Sequence, residues 1–250
     1  MRMTGNTILI TGGGSGIGRA LAEAFHQQGN QVIIAGRRQS MLDAVAAANP
    51  GMAAISVDMN ERASIEALAQ AAVAAYPALN IVINNAGIMR DEDVTAGPDY
   101  LAIAEDTIAT NLLGPIRLTA ALLPHLQQQA SAAILTVSSG LAFVPKASTP
   151  TYSATKAAIH SYTMSLRYQL RNTSVEVIEL APPYVQTYLQ GERQANDPNA
   201  MPLDAYIAET MQLLTDGPAN GEVLVQRVHR QRFAEATGNT EAVFNFVNPA

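Results

Sequence analysis

Short runs rich in Val, Ile, Leu and Ala, without polar alternation, recur along the chain at 7–10, 31–35, 53–57, 81–83, 133–137 and 175–180. Such runs predict strands that are covered on both faces, as in a parallel sheet. Between them, apolar residues three and four apart predict helices over 16–28, 39–48, 60–75, about 99–129, and 152–171. Repeated strand–helix alternation implies right-handed βαβ units, hence an α/β, doubly wound, mostly parallel sheet of six or seven strands with helices on both faces. After Leu180 the pattern changes, and Ala181-Pro182-Pro183-Tyr184 ends the last clear strand. Residues 190–202 are polar and carry the breakers Gly191, Pro198 and Pro202; 201–214 has helical spacing, and 222–236 fits either strand or helix. No linker or repeat divides the chain. The expected organisation is one domain over 1–250: a core at 1–180, a candidate substrate lid at 184–203, and a variable C-terminal segment at 204–250.

Composition narrows the function classes. The 250 residues are 48% hydrophobic and 14% charged, which supplies a large core and excludes disorder for the bulk of the chain. A net charge of −6 argues against a nucleic-acid surface. The absence of cysteine excludes a disulfide framework, a thiolate zinc site and a cysteine nucleophile together. The apolar run after Met1 is too short for a signal peptide's core, and 67–83 is broken by Gln70, Pro77 and Asn80. The expectation is a cytoplasmic protein without a membrane span.

The first predicted strand runs into Thr11-Gly12-Gly13-Gly14-Ser15-Gly16-Ile17-Gly18, and a helix follows. Glycines there let the backbone turn sharply and approach a pyrophosphate, while the helix end offers free N–H groups. The Gly-x-x-x-Gly-x-Gly spacing is one residue wider than the usual dinucleotide fingerprint. An NAD-binding unit carries an acidic residue ~20 residues further on for the ribose 2′-hydroxyl. Here the second strand ends Gly36-Arg37-Arg38. Without a carboxylate to repel it, a 2′-phosphate can be gripped by Arg37, with Arg38 beside it, so NADP(H) is the expected cofactor.

Tyr152-Ser153-Ala154-Thr155-Lys156 sets a phenol and an ammonium one helical turn apart. A free tyrosine titrates near ~10, and bringing it close to neutrality takes roughly 3–4 kcal/mol of preferential stabilisation of its anion. A lysine is an obvious source. The strand 133–137 delivers Ser138 and Ser139 at its C-terminal end, where open α/β sheets hold ligands. Asn84-Asn85-Ala86-Gly87 follows the fourth strand, Asp58-Met59 the third, and Asn111 lies in the long helical stretch.

Taken jointly, these motifs over residues 4–190 resemble the short-chain dehydrogenase/reductase family. The resemblance implies a single Rossmann domain and a catalytic set of Asn111, Ser139, Tyr152 and Lys156. Tyr152 would be the acid/base, Lys156 its partner and a ribose ligand, Ser139 the holder of the substrate oxygen, and Asn111 the start of a proton relay. Ser138 is an alternative that the family's spacing disfavours. Gly12, Gly14, Ser15, Gly16, Ile17 and Gly18 would cradle the phosphates. Asp58 and Met59 would face the adenine, Asn85, Ala86 and Gly87 the ribose, and Pro182, Val185 and Thr187 the nicotinamide. Pro183 replaces the family's usual glycine, so any contact that needed glycine there is lost. No Gly-Gly closes the chain after 221–228. The Pro-Pro turn, Ser138–Pro145 and this tail are similar to the DltE-like branch of bacterial short-chain oxidoreductases.

The implied activity is NADPH-dependent reduction of a small carbonyl compound, or the reverse oxidation. The competing readings are an epimerase or dehydratase on a nucleotide sugar and a non-catalytic NADP-binding sensor. Leu141, Phe143, Tyr184, Tyr188, Leu189 and Met89 favour an apolar or aromatic substrate. No metal site is expected: His26, His125, His160 and His229 have no second ligand at chelating spacing. Asp91-Glu92-Asp93 reads as a solvated loop. The small residues Ala157, Ala158, Ser161 and Ser165 predict helix pairing into a homodimer, with the basic tail at Arg227–Arg232 opposing a tetramer.

Overall fold

The computed structural model describes residues 1–249. The Val- and Ile-rich runs form β1 (Thr7–Thr11), β2 (Gln31–Gly36), β3 (Ala53–Ser56), β4 (Leu79–Asn84), β5 (Ala132–Val137), β6 (Val175–Leu180) and a two-residue β7 (Glu222–Val223). They build one seven-stranded sheet in the order β3-β2-β1-β4-β5-β6-β7, parallel at every pairing. The order reverses between β1 and β4, and there the crevice for a ligand opens beyond the strand C-termini.

The helices are α1 (Gly16–Gln27), α2 (Gln39–Ala48), α3 (Arg62–Ala75), α4 (Leu101–Ile108), α5 (Gly114–Leu126), α6 (Pro150–Leu170), α7 (Glu192–Ala195), α8 (Leu203–Asp216), α9 (His229–Arg232) and α10 (Thr240–Val247). Because side chains alternate along a strand, Ile8 and Ile10 join Leu21 and Phe25 of α1 and Met211 and Leu214 of α8. Leu9, between them, joins Ile65 and Leu68 of α3, Leu118 and Leu122 of α5, and Leu166 of α6. Each such buried side chain stabilises the fold by roughly 1.5–3 kcal/mol. Two cores therefore sandwich the sheet.

The predicted helix over 99–129 is interrupted. A short turn at Pro98–Tyr100 leads into α4, a π-helical turn occupies Ala109–Leu113, and α5 follows. Apolar spacing tolerates the extra residue of a π turn, so periodicity alone reads as one helix; such turns cluster at functional sites. Gly114, which follows, is needed for contact: a Cβ there would lie 2.8 Å from the Met59 carbonyl oxygen.

The ambiguous stretch 222–236 is strand only for two residues, then bends through Gln226–Val228 into α9. The expected lid, 184–203, is pinned at its ends. Met201 N donates to Tyr184 O at 2.8 Å, and Gln186 N to Met201 O at 2.9 Å. The buried Gln194 amide donates to Val185 O at 2.8 Å and Thr187 Oγ1 at 3.1 Å. Only the middle stands free, with Tyr188 68% exposed. Among the described residues, no helix is long and apolar enough to cross a membrane.

Candidate active site

The residues expected to bind a dinucleotide gather at the C-terminal edge of the sheet. Gly12 (φ 71°) and Gly16 (φ 54°) hold left-handed conformations that favour glycine. Gly12 N and Gly13 N donate to Ala35 O at 2.7 and 3.2 Å, tying the loop to β2. A Cβ on Gly18 would overlap Asn85 Nδ2 and Gly12 O, so loop, helix start and the β4 end interlock. Thr11, which the sequence reading missed, is the fastener: its Oγ1 accepts from Asn85 N and Ala86 N, each at 3.1 Å, and its carbonyl accepts from Asn85 Nδ2 at 2.9 Å.

This loop is built for anions. Ser15 at the start of α1 makes no side-chain cap, and the first turn holds no acidic residue, so the positive helix end is uncompensated. Arg37 and Arg38 are exposed at the end of β2, without a carboxylate partner among the described residues. Asp58 accepts from Asn60 N at 2.9 Å. The Met59 side chain is buried in the core, which leaves only its backbone for a ligand. Gly14 packs on Leu42, and Ile17 on both Leu21's core and the Val185 cluster. Thr187, from the loop after β6, lies 3.5 Å from a Cβ built on Gly16. Val185 is buried beside Met201, and Pro182 O accepts from Gly140 N at 2.8 Å. Free N–H groups, bare glycine backbone and two unpaired guanidinium groups fit the phosphates of a dinucleotide.

The four expected catalytic side chains converge beside it, all buried. The π turn carries Asn111, whose Nδ2 donates to Ile88 O and whose Oδ1 accepts from Ile88 N, both at 2.8 Å. Ser139 leaves β5 extended, and its Oγ accepts from Leu141 N at 3.1 Å. Ser138 instead donates back to Leu180 O at 3.4 Å, which favours Ser139 as the available hydroxyl. Lys156 Nζ donates to Val137 O at 2.8 Å and lies 5.5 Å from the centre of the Tyr152 ring. A Cβ on Gly87 would lie 3.3 Å from Asn111 Oδ1 and 3.9 Å from Lys156 Nζ, which places loop, amide and ammonium together.

The electrostatics correct one expectation. Burial pushes the Tyr152 phenol up to about 12, opposed by the nearby Ser139 hydroxyl. Burial pulls Lys156 down to about 8, with the Glu179 charge acting against it.

Two other expectations are corrected. In the run 91–93 Asp91 and Asp93 are exposed, but Glu92 is buried and accepts from Thr151 Oγ1 at 2.6 Å and Thr151 N at 3.3 Å. It caps the start of α6 from outside, one residue before Tyr152. His160, expected to have no second ligand near it in sequence, sits 2.7 Å from Glu179 Oε2, with Glu222 beside them. Their distance in sequence hid the group. Phe143 meets the His160 ring edge-on at 4.9 Å.

A family model described as short chain dehydrogenase matches residues 6–198. The chain is 43% identical over 237 residues to the uncharacterized oxidoreductase DltE of Bacillus subtilis (strain 168), covering 94% of this chain and 93% of that protein. Its fold is similar to 3-ketoacyl-(acyl-carrier-protein) reductase from Brucella melitensis complexed with NADH (TM-score 0.81, 24% identity, 92% of this chain and 100% of that one). It is equally similar to a short chain dehydrogenase from Burkholderia cenocepacia J2315 in complex with NADP (TM-score 0.81, 23% identity, 98% of each chain).

Proposed function

Because this chain belongs to the short-chain dehydrogenase family, we propose that it is an NADPH-dependent reductase of the DltE-like branch, acting on a small apolar or aromatic carbonyl compound. The observation that carries the reading is the convergence of Tyr152, Lys156, Ser139 and Asn111 beside the glycine loop. Relatives of this fold include one complexed with NADH and one with NADP. The preference for the 2′-phosphate therefore rests on Arg37 and Arg38, free at the end of β2 where an acidic ribose ligand would otherwise stand.

A nicotinamide dinucleotide bound along that edge supplies the hydride. The chain's own groups do the rest. The phenol, held protonated at neutral pH by burial, is a donor ready for the oxygen of a carbonyl as negative charge develops on it. Ser139 Oγ holds the same oxygen, and the two hydroxyls together form a preorganised site for an oxyanion. Lys156 would hold the cofactor's ribose, and with Asn111, which lies beside it across Gly87, would return a proton to the phenol. Val185 and Thr187, on the loop after β6, would lie on the nicotinamide side.

The test is oxidation of NADPH and of NADH with a panel of ketones, aldehydes and diketones. NADPH turnover should dominate, and Tyr152→Phe should lower kcat by ~10²–10⁴-fold while NADPH still quenches or enhances fluorescence on binding. A variant that keeps most of its activity, or a wild type that prefers NADH, refutes the reading.

A further inference from the structure

Within the polar run Gly191-Glu192-Arg193-Gln194, only Gln194 is buried, and its three neighbours are exposed. The turn that Gly191 N closes on Tyr188 O at 3.1 Å brings α7 back against the chain leaving β6. Burying an amide costs free energy unless its groups are bonded, and a leucine would fill the same space without that cost. The Gln194 amide is bonded at both ends. Its Oε1 accepts from Gln190 N at 3.1 Å, and its Nε2 donates to Val185 O at 2.8 Å. A backbone N–H only donates and a backbone carbonyl only accepts, so these two partners fix which end of the amide is which. The second Nε2 hydrogen goes to Thr187 Oγ1 at 3.1 Å, and in that bond the hydroxyl is the acceptor.

Thr187 Oγ1 accepts a second time, from Leu189 N at 3.4 Å. A hydroxyl has two lone pairs and one hydrogen. With both lone pairs facing donors, only the hydrogen remains, and no acceptor among the described residues takes it. The side chain is buried and stands over the glycine loop, where its Cβ and Cγ2 both lie 3.5 Å from the position of a Cβ on Gly16. An acceptor at position 194 would draw that hydrogen inward and leave a lone pair facing the loop. A lone pair there repels the oxygens of a phosphate or an amide. The identity of one buried side chain on α7 thus sets whether Thr187 attracts or repels them.

We propose that Gln194 is a positioning residue that turns the Thr187 hydroxyl hydrogen toward an acceptor oxygen of the bound dinucleotide, in its pyrophosphate or its carboxamide. The proposal rests on the dinucleotide reading given above. It assigns the buried side of the segment 184–203 to the cofactor, through the bonds from Gln194 to Val185 and Thr187.

The test is binding of NADPH to the cofactor-free protein, read by the fluorescence of the ligand. Thr187→Val removes the hydroxyl at nearly constant volume and should raise Kd by roughly 10-fold, the loss of one hydrogen bond to a strongly polar acceptor. Gln194→Met removes the amide at similar length and should raise Kd by roughly 3–10-fold. That rise should persist in the Thr187→Ser background, which keeps the hydroxyl, and vanish in the Thr187→Val background. Gln194→Glu keeps the length but sets an oxygen against the hydroxyl. It should weaken binding at least as much as Gln194→Met, and it covers the case in which the methionine variant fails to fold. Repeating the series with 2′-phospho-ADP-ribose, which lacks the nicotinamide, identifies the acceptor: a retained effect assigns the pyrophosphate, a lost one the carboxamide. An unchanged Kd in both Gln194 variants, or a rise of equal size in the Thr187→Val background, overturns the proposal and leaves the dinucleotide reading in place. A wild type that binds neither NADPH nor NADH overturns that reading, and the proposal with it.

Discussion

Replacing Lys156 by methionine should remove a rise of stability with pH that a buried lysine imposes between neutral and alkaline pH. Lys156 is 4% exposed, and burial lowers it from 10.5 to about 8. The fold thus favours the neutral amine, whereas the unfolded chain keeps its proton until near 10.5. Between those values the unfolded state binds more protons, so stability rises with pH. The gap of about 2.5 pH units is worth roughly 3 kcal/mol at 1.36 kcal/mol each. Of this, ~2.5 kcal/mol should develop between pH 7 and pH 10.

Tyr152 has the opposite sense: raised to about 12, it contributes stability below pH 10 that is lost only above it. The measurement therefore stops at pH 10, and because the tyrosines are common to both proteins their effects cancel in the comparison. Urea unfolding of the cofactor-free wild type and Lys156→Met, followed by circular dichroism at pH 7, 8, 9 and 10, gives the difference directly. Wild type should gain ~2.5 kcal/mol relative to the variant, equivalent to about 5–10 °C in Tm for a chain of this size. A difference that stays flat over that range, or that moves the other way, refutes the assignment of a buried, strained ammonium at this site.

Much of the architecture was legible because periodicity reports burial. The runs 7–10 and 133–137 read as two-sided strands, and the strands they form, Thr7–Thr11 and Ala132–Val137, are buried throughout. The glycine loop was legible because Gly12 and Gly16 hold positive φ, which few other residues tolerate. Three features were not. The π turn at Ala109–Leu113 keeps its apolar residues inward, so the pattern continued through it. Glu92 carries the composition of a loop but finds Thr151, 59 residues away. Glu179 sits in Val-Glu-Val-Ile-Glu-Leu, where only the sheet order distinguishes the exposed Glu176 from its buried counterpart. Long-range pairing, not local preference, decides each case. In the basic tail Arg227 and Arg230 are exposed, Arg230 stacking over Phe246 at 3.9 Å, while Arg232 finds Glu222, a pairing the local sequence does not show.

Arg37→Ala should raise the KM for NADPH at least ~10-fold, the loss of one charge-assisted hydrogen bond, and leave that for NADH within about twofold; equal changes in steady-state assays would exclude a 2′-phosphate contact. Glu92→Ala should cost ~1–2 kcal/mol in urea unfolding, as loss of a helix cap does, and an unchanged midpoint would remove Glu92 from the support of α6. The chain should pair through α4 and α6. Their outer faces carry Leu101 and Ile108, Met164 at 52% and Tyr168 at 67% exposure, flanked by the small Ala157, Ser161 and Ser165, which permit close helix approach. Arg227 and Arg230 are exposed while Arg232 is paired with Glu222, and the charge and shape of this tail should keep a second interface from forming. Light scattering should then give about 53 kDa, twice the 26.4 kDa chain, and Met164→Asp should halve it by burying a charge at the two-fold contact. A wild-type mass of one chain, or a pair that survives Met164→Asp, would refute pairing on this face.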